Sequence, residues 1–358
     1  MRFLVVADLH ININKLNIGI NLMDSIERTA IREAVQNIVV VGDLWDEQHT
    51  PPARVLIMIK NKLLRWCSLG FTVFWVRGNH EVNTKSKPED SYIGLYDNID
   101  HRLRIINSPE YQAFPPDIAV WFLPWYPVDE FKYYAEQFKI QSTQCPWARV
   151  KLLFSHIGLA EGNVSPTNVY TLNSKISVSD IYPEYYDWVL LGDIHITQYL
   201  RKNTLYCGCP IQLSFGDRPN QGAFVLDCSL GKGVLTNVHL DRDELFPRYV
   251  QYEITEELQL HTLTESPDNY VRLKVDVNLL GLANTLFKQY INTRRWNIEP
   301  LPIQKEKQNK GRMENVQEND TEKILDTWLD GKGLNLHQEF KWVAMKYLIG
   351  TGRMDYKL

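Results

Sequence analysis

Phe3-Leu4-Val5-Val6-Ala7-Asp8-Leu9-His10 opens the chain with an apolar run, then a carboxylate and an imidazole two positions apart. The apolar run reads as a β-strand, so Asp8 and His10 stand where that strand ends. The pattern returns along the sequence. Gly42-Asp43 follows Ile38-Val39-Val40-Val41, and Gly78-Asn79-His80-Glu81 follows Val73-Phe74-Trp75-Val76. His156 follows Leu152-Leu153-Phe154-Ser155, and Gly192-Asp193-Ile194-His195 follows Trp188-Val189-Leu190-Leu191. In an open α/β sheet, groups at the carboxyl ends of strands converge on one crevice. Residues far apart in the chain are therefore expected to share one polar pocket.

The side chains in that pocket suit two divalent cations. Hard oxygen and imidazole nitrogen ligands fit Mn²⁺, Mg²⁺, Fe or Zn²⁺ rather than Cu(I) or an iron–sulfur cluster. Two cations held close together repel, so a shared carboxylate is needed between them. Such a pair clamps a phosphoryl centre, stabilises the attacking and leaving oxygens and lowers the pKa of a bridging water. A lone Gly-Asp is usually a turn; the ordered series, each piece behind a strand, is far more specific.

The series resembles that of the calcineurin-like metallophosphoesterases. The resemblance implies an α/β fold, a metallophosphoesterase sandwich of mixed β-sheets flanked by helices. It implies that Asp8, His10, Asp43 and His195 hold one metal, and that Asp43, Asn79, His156 and Asp193 hold the other. His80 is then not a ligand but the general acid that protonates the leaving oxygen, a task imidazole suits near neutral pH. Asp46 is a second catalytic candidate. Mn²⁺ is the expected ion and Mg²⁺ the alternative.

Further segments look like the DNA-repair and recombination nuclease branch of that family. They are Gly42-Asp43-Leu44-Trp45-Asp46 with Pro51-Pro52, Tyr206-Cys207-Gly208-Cys209-Pro210, and Leu213-Ser214-Phe215-Gly216-Asp217. The branch includes the bacterial SbcD exonuclease and the recombination nuclease subunit of T-even bacteriophages. The resemblance implies DNA as substrate, a homodimer, a coiled-coil ABC-type ATPase as partner, and a cytoplasmic, bacterial or phage-encoded setting. One motif departs from the pattern. The family's last motif normally reads Gly-His-x-His; here it is Gly192-Asp193-Ile194-His195. With Asp8, Asp43 and Asp193 around two divalent cations, the net charge is about +1 instead of about +2, which favours harder cations.

Composition bounds the alternatives. At 358 residues the chain has room for more than one domain. Met1-Arg2 and a short apolar run ending before Asp8 do not make a secretory signal. The longest apolar stretch, Ala119 to Val128, is broken by Pro124 and Pro127, so no membrane span is expected. Five cysteines without a Cys-x-x-Cys pair argue against a disulfide frame or structural zinc. Cys207 and Cys209 read as reduced thiols beside a turn, in a reducing compartment. A net charge of −4 is not the footprint of a protein that holds DNA unaided. The candidate DNA contacts are Arg77, Arg201, Lys202 and Arg218 near the motifs, each alone more simply a solvated surface residue. Trp45 is expected either to stack on a base or to pack locally.

Residues 1–245 read as a nuclease domain of alternating strands and helices, with helical stretches Met23–Val35 and Val55–Trp66. Residues 246–303 change pattern. Tyr249–Ile254 and Tyr270–Val277 alternate with period two, Leu279–Tyr290 reads as a short helix, and Trp296–Ile303 is extended. This resembles a small α/β capping domain that guides DNA, where Arg294-Arg295 are further candidate contacts. Residues 304–320 are polar and read as a linker. Residues 321–358 turn helical, with apolar Ile324, Leu325, Trp328, Phe340, Val343 and Tyr347 as the expected partner-binding face. A small-molecule phosphodiesterase or protein phosphatase remains a competing reading, as does a non-catalytic scaffold on the same fold.

Overall fold

The computed structural model describes residues 1–301 apart from 49, 83–90, 165–173, 218–221, 230, 241–245, 267 and 294. The proposed linker 304–320 and the segment 321–358, with Ile324 through Tyr347, lie outside the described residues, as do Arg218 and Arg294.

The chain begins β1 (Arg2–Val6), α1 (Leu16–Arg32), β2 (Asn37–Val41), α2 (Ala53–Ser68), β3 (Thr72–Val76) and β4 (Leu103–Ile106). It continues β5 (Glu110–Phe114), β6 (Ile118–Leu123), α3 (Val128–Thr143), β7 (Val150–His156), β8 (Trp188–Gly192), β9 (Gln198–Arg201) and β10 (Thr204–Tyr206). Then come β11 (Ala223–Asp227), β12 (Val234–Val238), β13 (Tyr249–Ile254), α4 (Glu257–Thr262), β14 (Tyr270–Val275), α5 (Leu280–Leu286), α6 (Lys288–Ile291) and β15 (Trp296–Pro300).

Two six-stranded mixed sheets make the body, ordered β12-β11-β1-β2-β3-β4 and β5-β6-β7-β8-β10-β9. In the first, β1 to β4 are parallel and β11 and β12 run against them. In the second, β6, β7, β8 and β10 are parallel between antiparallel edges β5 and β9. The alternation of side chains explains the layers. Phe3, Val5, Val39, Val41, Phe74 and Val76 point one way and meet Val120, Phe122, Leu152, Phe154 and Leu190 in a shared core between the sheets. The intervening Leu4, Val6, Ile38, Val40, Val73 and Trp75 face out and are covered by α1 and α2 through Leu22, Ile26, Ile59 and Leu63. Trp121, Leu153, Val189 and Leu191 likewise face out, against Phe131 and Phe138 of α3. Apolar runs therefore mark these strands because both of their faces are covered.

A third sheet, β13-β14-β15, is parallel throughout. One face holds Val271, Leu273, Val275 and Trp296 against Leu260, Ala283 and Phe287 of the small helices. Residues 1–301 form one compact unit that includes this sheet. The helix expected over Leu279–Tyr290 is two short helices that break at Phe287. Among the described residues, no helix is long and apolar enough to cross a membrane.

Candidate metal centre

Every strand-end motif lies at the carboxyl end of a parallel strand, on the same side of the sandwich. The backbone there is unusual. Asp8, His10, Asp43 and Asp193 have φ of 54, 43, 51 and 96°. Non-glycine residues rarely enter this left-handed region, and when they do it is often at functional sites. The strand ends are stapled to one another: Asp8 N–H donates to Gly42 O (3.2 Å), and His10 N–H donates to Asp43 O (3.0 Å). Asp193 N–H donates to Asp8 Oδ1 (3.0 Å), tying β8 to β1 across the two sheets. The glycines of the motifs are needed for room. A Cβ on Gly42 would stand 2.0 Å from His156 Nδ1, on Gly78 2.2 Å from Asp43 Oδ1, and on Gly192 2.2 Å from Val41 O.

Acceptor atoms converge in this pocket. His156 is fully buried, and its Nδ1–H donates to Val41 O at 2.8 Å. That bond leaves the Nε2 lone pair pointing inward, 3.3 Å from Asp43 Oδ1, 3.8 Å from Asp193 Oδ1 and 2.9 Å from Asn79 Oδ1. Turned over, the Asn79 amide would instead donate to His156 Nε2, Asp193 Oδ1 and Asp43 Oδ2. Either an amide N–H or a cation must answer these lone pairs, and the oxygen-inward orientation is the one a cation holds. On the other side of Asp43, His10 Nε2 lies 3.6 Å from Asp43 Oδ2 and 3.0 Å from His195 Nε2. Two imidazole nitrogens each about 2.1 Å from one ion stand about 3 Å apart when at right angles to it. Asp8 Oδ2 is buried with no hydrogen-bond partner. The donor set therefore fits two divalent cations, with Asp43 belonging both to a group with His10 and His80 and to one with Asp8 and His156.

The electrostatics carry the same message. Burial pushes the Asp8 carboxyl up to about 7, His156 opposes this, and the Asp43 charge adds to it. Burial would also raise Asp43, but His156, His10 and His80 outweigh it and hold Asp43 well below the usual range. Burial would lower His156, yet Asp43, Asp8 and Asp193 raise it well above an ordinary imidazole. His195 is driven down to about 4 by burial and by the charge on His10. Protons here stand in for the cations that the acceptors call for.

The other site candidates separate. His80 sits at the rim with Nε2 3.8 Å from Asp43 Oδ2 and Nδ1–H donating to Asp46 O at 2.5 Å. Asp46, the second catalytic candidate, holds imidazoles in place: its Oδ1 faces His10 Nδ1 at 3.2 Å and its carbonyl accepts from His80. Trp45 does not stack on a ligand. It is fully buried against Trp75 and Tyr96, and its Nε1–H donates to His80 O at 3.0 Å. Arg77 is not a DNA contact either. It is 1% exposed, its guanidinium donates to Asn107 O and Oδ1 and to Trp125 O, and it lies over the Tyr126 ring. Arg201 and Lys202 are exposed at the far end of β9. One residue quoted in the sequence motif but given no role is Glu81. Fully buried, it accepts N–H bonds from Asp43 (3.0 Å), Gly78 (2.7 Å) and Leu44 (2.7 Å), and so builds the loop that carries Asp43.

Against known protein families, the calcineurin-like phosphoesterase family matches residues 1–212. The chain belongs to this family. The family's chemistry is metal-dependent hydrolysis of phosphoesters. No curated protein matches the chain. Among solved structures, it is similar to the Plasmodium inner-membrane-complex anchor GAP50 (15% identity, 68% of this chain and 85% of that one, TM-score 0.44). It is also similar to a dimetal phosphatase from Danio rerio (13%, 63% and 92%, 0.43) and to the nuclease MPE of Pseudomonas putida (14%, 65% and 87%, 0.29).

Proposed function

We propose that this phosphoesterase is a two-metal DNA nuclease, with Mn²⁺ as its working ion. The observation that supports this reading is a wall of aromatic and cationic side chains where the third sheet meets the loop after β10. Tyr249 and Tyr270 stack at 4.5 Å, and Phe215 meets Tyr249 edge-on at 5.2 Å. The Lys15 ammonium lies over both tyrosine rings and donates to Tyr249 Oη and Leu213 O. Arg272 lies over Phe215 at 4.3 Å. A cleft lined by His10, Asn12, Lys15, Gln212 and Tyr249 brings this wall alongside the metal centre. Stacked rings with cations among them suit bases and a phosphate backbone, and a small phosphate ester has no use for them.

The bound cations would supply the Lewis acidity and the activated water. Asp8, His10, Asp43 and His195 would hold one, and Asp43, Asn79, His156 and Asp193 the other. His80 has spent Nδ1–H on the Asp46 carbonyl, so Nε2 is the atom that delivers a proton to the leaving oxygen. A homodimer and a coiled-coil ABC-type ATPase gripping residues 321–358 complete the reading, in DNA break processing or recombination. The test compares Mn²⁺-dependent cleavage of linear duplex and single-stranded DNA with hydrolysis of a small aryl phosphodiester and a phosphopeptide. Efficient cleavage of DNA is expected. Turnover of the small ester or phosphopeptide with intact DNA would overturn the proposal.

A further inference from the structure

The segment Leu213–Asp217 follows the sandwich strand β10 and ends beside a candidate ligand. The Asp217 carboxylate splits its work. Oδ2 accepts from Leu213 N–H (2.9 Å), Ser214 N–H (2.8 Å) and the Ser214 hydroxyl (3.2 Å), closing the loop on itself. Oδ1 stands 3.9 Å from His195 Nδ1, and the carboxylate is only 9% exposed. The opposite ring nitrogen, His195 Nε2, faces His10 Nε2 across the centre. The imidazole therefore lies between a carboxylate and the point where the cation ligands converge. The loop is braced from outside. Gln212 Nε2–H donates to Asp217 O (2.9 Å), and Gln212 Oε1 accepts from Tyr249 N–H (3.1 Å) at the start of β13.

We infer that Asp217 is the positioning residue for His195. Its Oδ1 is too far for a hydrogen bond but close enough for its charge to favour the tautomer with the proton on Nδ1. That tautomer leaves the Nε2 lone pair for the cation. Carboxylates hydrogen-bonded to ligating imidazoles are worth about 10–100-fold in metal affinity, so Asp217, acting through its charge, belongs at the low end of that range. The inference rests on the two-metal reading of the centre but not on DNA as substrate. Asp46 stands closer to His10 Nδ1, at 3.2 Å, so each imidazole of this pair has its own carboxylate behind it.

Asp217→Asn separates positioning from loop closure. The amide oxygen can still accept the Leu213 and Ser214 N–H bonds, while the charge facing His195 is gone. The full chain is titrated with Mn²⁺ by calorimetry and electron paramagnetic resonance, and the metal-free protein is melted. The wild-type chain should take up two ions. Asp217→Asn should weaken one of them by about 10-fold, leave the other unchanged, and melt at the wild-type temperature without metal. In a His195→Ala background, Asp217→Asn should cause no further loss. Wild-type affinity at both sites, or an equal loss in the His195→Ala background, would overturn the inference. A fall in the metal-free melting temperature with loss of both ions would make Asp217 a loop clamp and overturn it too. A wild-type chain that binds no Mn²⁺ would overturn the two-metal reading along with it.

Discussion

Replacing Glu81 by Gln tests how the centre is built. Glu81 Oε2 accepts from Asp43 N–H and Gly78 N–H, and Oε1 accepts from Leu44 N–H. Gln supplies one oxygen and one NH₂ group. The cheaper orientation keeps the doubly bonded oxygen and sets the NH₂ against Leu44 N–H, donor facing donor. A buried donor left without a partner costs about 1–3 kcal/mol, and the two remaining bonds lose their charge assistance. The sum is about 2–4 kcal/mol. For a chain of this size, that is on the order of 3–5 °C in melting temperature. Burial and the Asp43 charge push Glu81 up to about 7, so the melt is best run above pH 8, where the carboxylate is ionised. The loop holding Asp43 should relax as well, weakening both Mn²⁺ sites in the same titration. A variant that melts within about 1 °C of wild type and binds Mn²⁺ unchanged would refute this account of the loop.

Three further outcomes are expected. His80→Asn should keep both ions and lose about 10²–10⁴-fold in rate; loss of metal instead would make His80 a ligand. Gly42→Ala should abolish metal uptake, because a Cβ 2.0 Å from His156 Nδ1 must displace that imidazole; normal Mn²⁺ binding would contradict it. In metal-free protein, burial would lower His10, yet Asp46, Asp43 and Asp8 together push it up to about 8 from 6.5. A raised imidazole stabilises the fold fully below about pH 6.5 and loses that contribution as pH passes 8, here about 2 kcal/mol. Metal-free protein should therefore melt lower at pH 8.5 than at pH 6, and saturating Mn²⁺ should remove the difference. A metal-free melting temperature that rises over that range would show the sign to be wrong.

The sandwich was legible because its parallel strands are covered on both faces, which leaves unbroken apolar runs with polar groups just beyond them. The site was legible for the same reason: Asp8, Asp43, Asn79, His156 and Asp193 each follow such a run. Roles fixed by tertiary contact were not. Arg77 read as a surface cation, and nothing local shows that backbone carbonyls from two other segments receive its guanidinium. Trp45 sits beside a catalytic motif, yet its ring completes the packing around Trp75. Glu81 was visible but mute, since its three donors come from two separate loops. Strands β9 and β10, with four and three residues, are too short to carry a period. The alternation in β13 and β14 marked a half-covered sheet, but their parallel direction depends on crossovers that pattern does not encode.

The bond from Asp193 N–H to Asp8 Oδ1 bears on how this centre can drift over evolutionary time. Structural duty at position 193 belongs to the main chain, so the side chain is released from it. Gly42, Gly78 and Gly192 have no such freedom, because any added atom meets a neighbour. A φ of 96° at position 193 filters which residues can replace Asp193. Asn, Asp and His tolerate positive φ better than bulky or branched residues. All of these carry an atom that can bind a cation. Glycine passes this filter too and would remove the ligand; among residues with a side chain, the backbone favours ligands of differing charge and hardness, so a lineage can move between cations there without passing through a broken centre.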